Sequence, residues 1–179
     1  ERLASLAYYD PLTELPNRAL FQEFLKARVS QRAKDGQAFA VLYIDLDFFK
    51  SVNDLHGHDC GDRVLQQAAL CIQSVLRRGD VVARLSGDEF AAIIELRNDD
   101  DLESVCQRMV QSFRAPVIVD HREYFLSSSV GAAVYPDHGS QASELLQNAD
   151  RAMYAAKLAG RACFRIYDAV DTEQGRQAE

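Results

Sequence analysis

Two aspartates spaced two apart, Asp45 and Asp47, close an apolar run that starts at Phe39, and a second acidic pair, Asp88 and Glu89, follows Ser86 and Gly87. On a strand such spacing puts both side chains on one face, where the chain leaves the sheet. Taken alone, the pair suits a solvated turn with acidic capping residues equally well. If the Ser86-Gly87-Asp88 turn lies beside that strand, four carboxylates crowd one edge and repel each other unless a cation is present. Mg²⁺ takes oxygen ligands, uses only one or two protein carboxylates and keeps positions for phosphates, so the inventory fits a metal and nucleotide site.

Between the acidic pairs lies Phe48-Phe49-Lys50, followed by Asn53 and Asp62. A lysine just beyond a strand can meet a triphosphate as a point charge, and loop amides supply further donors. An amide and a carboxylate reaching one planar base suit guanine: the amide reads O6 or N7, and the carboxylate accepts from N1-H and N2-H. By spacing alone, Asn53 and Asp62 read more readily as helix caps.

Several elements must position these residues. Leu20, Phe21, Phe24, Leu25 and Val29 recur at helical spacing behind Pro16, predicting a helix from about Asn17 to Ala33. Phe39 to Asp45 is β-branched and aromatic, a strand buried on both faces. Val64, Leu65, Ala68, Ala69, Ile72, Val75 and Leu76 mark a second helix ended by the turn at Arg78-Gly79-Asp80. Asp80 to Leu85 and Glu89 to Leu96 read as a hairpin around Ser86-Gly87-Asp88. A third helix runs through Leu102, Val105, Cys106, Met109, Val110 and Phe113 to Pro116. Next come paired strands, Val117 to Val119 and Glu123 to Val134, then a helix from Ser143 to Ala159 stopped by Gly160, and a strand from Cys163 to Tyr167. The interleaving predicts an α+β fold, a mixed sheet covered by helices.

The chain has 179 residues, about one domain, with 47% hydrophobic and 26% charged residues, and no apolar run approaches a membrane span. A net charge of -7 argues against nucleic acid as a partner, and no membrane contact is expected of this domain. Cys60, Cys71, Cys106 and Cys163 form no CxxC pair and read as reduced cytoplasmic thiols. Residues 1–9 look like an incoming linker helix and residues 169–179 like a C-terminal linker; such ends are expected of a domain at 10–168 cut from a longer protein, cytoplasmic or the cytoplasmic part of a membrane-anchored one.

Five ordered motifs then resemble one family. DPLTELPNR from Asp10, DLDFFK from Asp45, the segment from Asn53 to Asp62, RLSGDEF from Arg84, and ADRAMYAAK from Ala149 with Gly160-Arg161 are similar to the motifs of GGDEF domains, the diguanylate cyclases, from Asp10 to about Tyr167. The resemblance implies a central mixed five-stranded sheet flanked by helices, like the nucleotidyl cyclase and polymerase palm cores. It implies Mg²⁺, with Mn²⁺ as an alternative, on Asp45, the Leu46 carbonyl and Asp88. It further implies that Asn53 and Asp62 read guanine, and that Lys50, Lys157 and Arg161 meet phosphates, with Phe48, Phe49, Ser86 and Gly87 lining the substrate site. Lys157 and Arg161 are four apart, one face of a helix if the helix continues. Asp88 or Glu89 would help deprotonate a ribose 3′-hydroxyl, which attacks an α-phosphate of a second GTP with loss of pyrophosphate. Two GTP-loaded domains must therefore meet in a transient antiparallel homodimer that makes cyclic di-GMP.

Arg77-Arg-Gly-Asp80 stands where the family carries an RxxD site for inhibitory product, with Arg108 as a second contributor. Two departures are visible: Ser86 replaces the first glycine of the signature, and Glu14 replaces a glycine of the opening motif. If the first hairpin position needs φ > 0 or close backbone approach to GTP, serine there carries a smaller cost than a large residue would. The rival reading is a regulatory module that binds GTP or cyclic di-GMP without turnover and controls a fused partner. The ending Arg165-Ile-Tyr-Asp168 is similar to the junction into an EAL phosphodiesterase domain, and a sensor domain would precede. Another palm-like nucleotidyl transferase or purine cyclase is disfavoured by the guanine pair and the negative charge. His56 and His58 read as turn imidazoles rather than metal ligands.

Overall fold

The computed structural model describes residues 7–98 and 101–168. Its elements are α1 (Arg18–Asp35), β1 (Phe39–Asp47), α2 (Phe49–His56), α3 (His58–Val75), β2 (Val81–Ser86), β3 (Glu89–Glu95), α4 (Asp101–Ser112), β4 (Val117–Val119), β5 (Arg122–Tyr124), β6 (Ser127–Tyr135), α5 (Ala142–Leu158) and β7 (Phe164–Ile166). Strands β2, β3, β1, β6 and β7 form a five-stranded sheet in that order, antiparallel except for the β6 and β7 pair. The predicted mixed sheet with helices on its faces is therefore the observed one.

All nine residues of β1 are buried, because the strand is central and covered on both faces. Ala40, Leu42, Ile44 and Leu46 pack into the cluster formed with Val64, Leu65, Ile72, Val105 and Met109 of α3 and α4. Phe39, Val41 and Tyr43 alternate to the other face, against Phe21 and Leu25 of α1 and Leu145, Ala149 and Met153 of α5. Asp45 and Asp47 continue this second series, so both leave the sheet on the α1 and α5 side. Helix α1 starts where Asn17 accepts the Leu20 N–H at 3.1 Å, and it ends at Gly36 in the left-handed region (φ 72).

Helix α5 lies unusually close to the sheet. A Cβ at Gly131 of β6 would come within 2.1 Å of the Ala149 carbonyl oxygen and of the Met153 amide. Only glycine leaves room for helix backbone there. The close approach fixes where the next turn of α5, with Lys157, meets the end of β1.

Three expectations need correction. The single strand expected from Glu123 to Val134 is two elements: β5 pairs with β4 in a separate ribbon, and β6 begins at Ser127 against Asp47. An apolar pattern does not record a change of partner, here made across Phe125 and Leu126. Helix α2 was not signalled, since two turns containing Asn, Asp and Val carry little helical propensity. For the same reason α3 starts at His58, six residues before its apolar periodicity becomes visible. Of the expected incoming helix, residues 1–6 lie outside the described residues, as does the expected linker at 169–179; Ala7 and Tyr8 are helical.

Gly131→Ala should push α5 off β6 and destabilise the domain by roughly 1–3 kcal/mol, the cost of overpacking a close contact. Urea denaturation checks this, and an unchanged midpoint would contradict the packing described.

Candidate functional site

The hairpin of β2 and β3 brings the second acidic pair to the first. Asp45 and Glu89 are directly paired across β1 and β3, and the Leu46 N–H donates to the Asp88 carbonyl at 3.2 Å. Asp45 is 6% exposed, and Lys157 of α5 reaches it with an Nζ to Oδ2 distance of 3.0 Å. Burial pushes the Asp45 carboxyl up to about 6; the Lys157 hydrogen bond opposes this, while the charges of Asp88 and Glu89 add to it. Burial also raises Asp88, with its own backbone amide and Lys157 pulling down and Glu89 pushing up. One lysine thus faces Asp45 and Asp88, and the charge of Glu89 disfavours ionisation of both.

Asp47 does not belong to this group. It is 2% exposed, and its carboxylate accepts from Ser127 Oγ and Ser129 Oγ at 2.7 Å each and from the Ala162 amide at 3.1 Å. Three donors compensate its burial and tie the loop after α5 to β1 and β6. The expected crowd of four carboxylates is therefore three, because Asp47 is committed to holding the fold.

Three further groups surround Glu89. Arg18 Nη2 of α1 lies 3.9 Å from Glu89 Oε2. Burial pushes the Tyr43 hydroxyl up to about 12, with Glu89 acting in the same direction and a hydrogen bond with Arg18 against it. Burial and Glu89 raise Asp150 of α5, opposed by Lys157 and Arg18. Sequence reasoning gave none of these a role. Tyr43 precedes Asp45 by two on the same strand face, and Asp150 precedes Lys157 by seven on the same helix face, so spacing could have found both. Nothing in the spacing points to Arg18.

The turn itself is stapled from outside. Arg84 donates Nε to the Gly87 carbonyl at 2.8 Å and Nη1 to both Asp10 carboxylate oxygens at 3.1 Å, while its own amide bonds the Pro16 carbonyl at 3.0 Å. Burial works against the Asp10 charge, but hydrogen bonds from Thr13 and Arg84 hold its carboxyl below the usual range. The positive φ in the turn falls on Gly87 (φ 44), and Ser86 closes β2 as a strand residue. Ser86 is thus not strained by the backbone. Glu14 is different, since it occupies the left-handed region (φ 59), where a glycine would be at ease.

Asn53 and Asp62 lie inside α2 and α3, and neither caps a helix, so the capping alternative falls. Gly57 (φ 84) joins the two helices, and a Cβ at Gly61 would overlap Asn53 Oδ1 at 1.8 Å. The Asn53 carboxamide therefore lies against Gly61 in the first turn of α3, the residue that precedes Asp62. Lys50 and Asp62 are exposed, and Phe48 is 65% exposed. Phe49 is 6% exposed and packs in the core, so its side chain is not open to a ligand as expected. Lys157 and Arg161 do not share a helix face, because α5 ends at Leu158 and Arg161 turns left-handed (φ 65). The turn instead carries the Arg161 guanidinium over the Phe48 ring, 5.3 Å from its centroid.

The RxxD segment lies apart from this edge, at the start of the hairpin. The Arg77 amide donates to Asp80 at 2.8 Å, while its guanidinium grips Asp101 of α4 through two bonds of 2.9 and 2.7 Å. Asp80 also accepts the Glu95 amide at 3.3 Å. Arg108 is exposed on α4. Asp101 was not singled out in the sequence, since it lies 24 residues from Arg77. Among the described residues no helix is long and apolar enough to cross a membrane.

Comparison with known proteins gives the family and the fold. The profile of the family described as "Diguanylate cyclase, GGDEF domain" matches residues 7–163. The chain is 41% identical over 166 residues to the bifunctional diguanylate cyclase/cyclic di-GMP phosphodiesterase MucR of Pseudomonas aeruginosa, covering 93% of this chain and 24% of that protein. It is 41% identical over 159 residues to the cyclic di-GMP phosphodiesterase NbdA of the same organism, covering 89% of this chain and 20% of NbdA. The chain thus spans about a quarter or less of these relatives. The GGDEF domain of TpbB from Pseudomonas aeruginosa superposes with a TM-score of 0.90 at 37% identity, covering 95% of this chain and 99% of that one. A sequence match over nearly the whole chain and a matching fold lead to the same conclusion: the chain belongs to the GGDEF diguanylate cyclase domain family.

Proposed function

We propose that this domain is a diguanylate cyclase, joining two GTP molecules into cyclic di-GMP with release of two pyrophosphates. The observation that carries the reading is the meeting of Asp45, Asp88 and Glu89 with Lys157 at one edge of the sheet. Among the described residues no three acidic, histidine or cysteine side chains form a metal cage by themselves. The donor set suits Mg²⁺ all the same, because that ion takes few carboxylates and fills its shell with carbonyl, water and phosphate oxygens. Mn²⁺ fits the same oxygens.

Asp45, Asp88 and the Leu46 carbonyl would hold the ion, which when bound supplies charge neutralisation and alignment of the triphosphate. Lys157 would exchange its pairing with Asp45 for a phosphate, and Lys50 and Arg161 would add charge at the same edge. Asn53 and Asp62 would read the guanine edge, with Phe48 holding Arg161 in place and the Ser86-Gly87 turn letting the nucleotide approach. Asp88 or Glu89 accepts the proton from the ribose 3′-hydroxyl as it attacks the partner's α-phosphate. Each domain, residues 10–168 with linkers at either end, binds one GTP, so catalysis needs an antiparallel homodimer. Cyclic di-GMP would bind Arg77, Asp80 and Arg108 as an inhibitor, displacing Asp101 from the Arg77 guanidinium.

A second reading has its own support. MucR and NbdA carry phosphodiesterase activity in their names, and this chain matches only a part of each. In that reading the domain binds GTP or cyclic di-GMP and regulates a fused EAL domain, in a cytoplasmic protein or the cytoplasmic part of a membrane-anchored one.

Nucleotide-stripped protein incubated with GTP and Mg²⁺ should yield cyclic di-GMP, resolved by chromatography, and Asp88→Ala or EDTA should lower the rate by about 10²-fold or more. Mg²⁺-GTP binding without product would favour the regulatory reading. Arg77→Ala should keep progress curves linear where the wild type slows as product accumulates. A pH effect also follows. The folded, metal-free protein holds a proton on Asp45 up to about pH 6 that the unfolded chain, with its ordinary value of 3.8, has already released. This group therefore favours folding most below the unfolded value, and the benefit is lost as pH rises through the folded one. In EDTA, Asp45→Asn should be more stable than wild type at neutral pH in urea melts, with the difference shrinking as pH falls toward the unfolded value. Mg²⁺ should reverse the order at neutral pH.

A further inference from the structure

We propose that Ser86 is a positioning residue that fixes the Glu89 carboxylate, and so is a working part of this site where the family signature has a glycine. This rests on the metal and nucleotide reading above. Ser86 is the last residue of β2 and faces Glu89 across the hairpin, after a shift of register between Arg84 and Ser86. Such irregularities bend a strand and re-aim its side chains. Here the Ser86 hydroxyl donates to Glu89 Oε2 at 2.7 Å.

The same oxygen faces Arg18 Nη2 at 3.9 Å, a loose pair whose side chains are 45% and 30% exposed. An exposed ion pair of that length restrains a flexible glutamate weakly. The serine bond is the short, directional contact, and it is charge-assisted. It commits Oε2 of Glu89, a residue whose cross-strand partner is Asp45. A glycine at this position offers no donor, so the carboxylate would sample more rotamers and present its charge to a bound cation less consistently.

The backbone gives a reason why serine can serve here. The left-handed residue of the turn is Gly87, and Ser86 itself stays in the strand. The hydroxyl is therefore added to the hairpin without backbone strain, while Arg84 holds the turn through the Gly87 carbonyl independently of it. Loss of the hydroxyl should alter Glu89 and leave the turn intact.

The test is a double-mutant cycle on Mn²⁺ binding, followed by electron paramagnetic resonance in the presence of a GTP analogue blocked at the α,β bridge. Ser86→Ala should weaken Mn²⁺ binding about three- to tenfold, the range of an ordinary net hydrogen bond, since exposure weakens this charge-assisted one. Ser86→Thr, which keeps the hydroxyl, should bind like wild type. In a Glu89→Ala background, Ser86→Ala should cause no further loss. With GTP as substrate at saturating Mg²⁺, Ser86→Ala should lower kcat and leave KM unchanged. Ser86→Ala binding Mn²⁺ as well as or better than wild type would overturn the proposal, as would an equal loss in the Glu89→Ala background. Failure of the wild type to bind Mn²⁺ and the analogue would remove the metal and nucleotide reading, and the Ser86 role with it.

Discussion

The charge of Asp45 has to be accommodated at the end of a strand that is buried along its whole length. Among the described residues Lys157 is the cation at hydrogen-bond distance, and it does not fully offset burial and the neighbouring acids, which together raise the Asp45 carboxyl. An edge with a surplus of poorly solvated negative charge is costly to fold and favourable for a divalent cation. Most of the other structural features at this end of the sheet either deliver a carboxylate to that edge or deliver Lys157 to meet it.

Delivery of Lys157 depends on how close α5 can come. Gly131 removes the side chain that would hold the helix away from β6, and Asp47 fastens the loop beyond the helix through the Ala162 amide. The two acids of the same strand face thus have different work. Asp47 has three donors and serves as an internal tie, whereas Asp45 pairs with Lys157. The hairpin is controlled from the opposite side, where Arg84 joins the turn carbonyl to Asp10 in the opening loop.

The sequence by itself determined the alternation that makes β1 a central strand with two acids at its end, because a buried strand has a readable composition and a period of two. It also determined the hairpin and the order of motifs that marks the family. Tertiary structure decided the rest. Asp45 and Asp47 look alike in the chain, and only the positions of Ser127, Ser129 and Ala162 separate them. Asn53 and Asp62 looked like caps until Gly57 and Gly61 were seen to fold two short-range polar segments into helices pressed together. Arg161 left the face of Lys157 because the helix stopped first, and Arg18 and Asp101 came to their partners from distant parts of the chain. Periodicity reports which face a residue occupies within its own element; which groups then share a carboxylate is set by how the elements pack, and that packing carries no local signal.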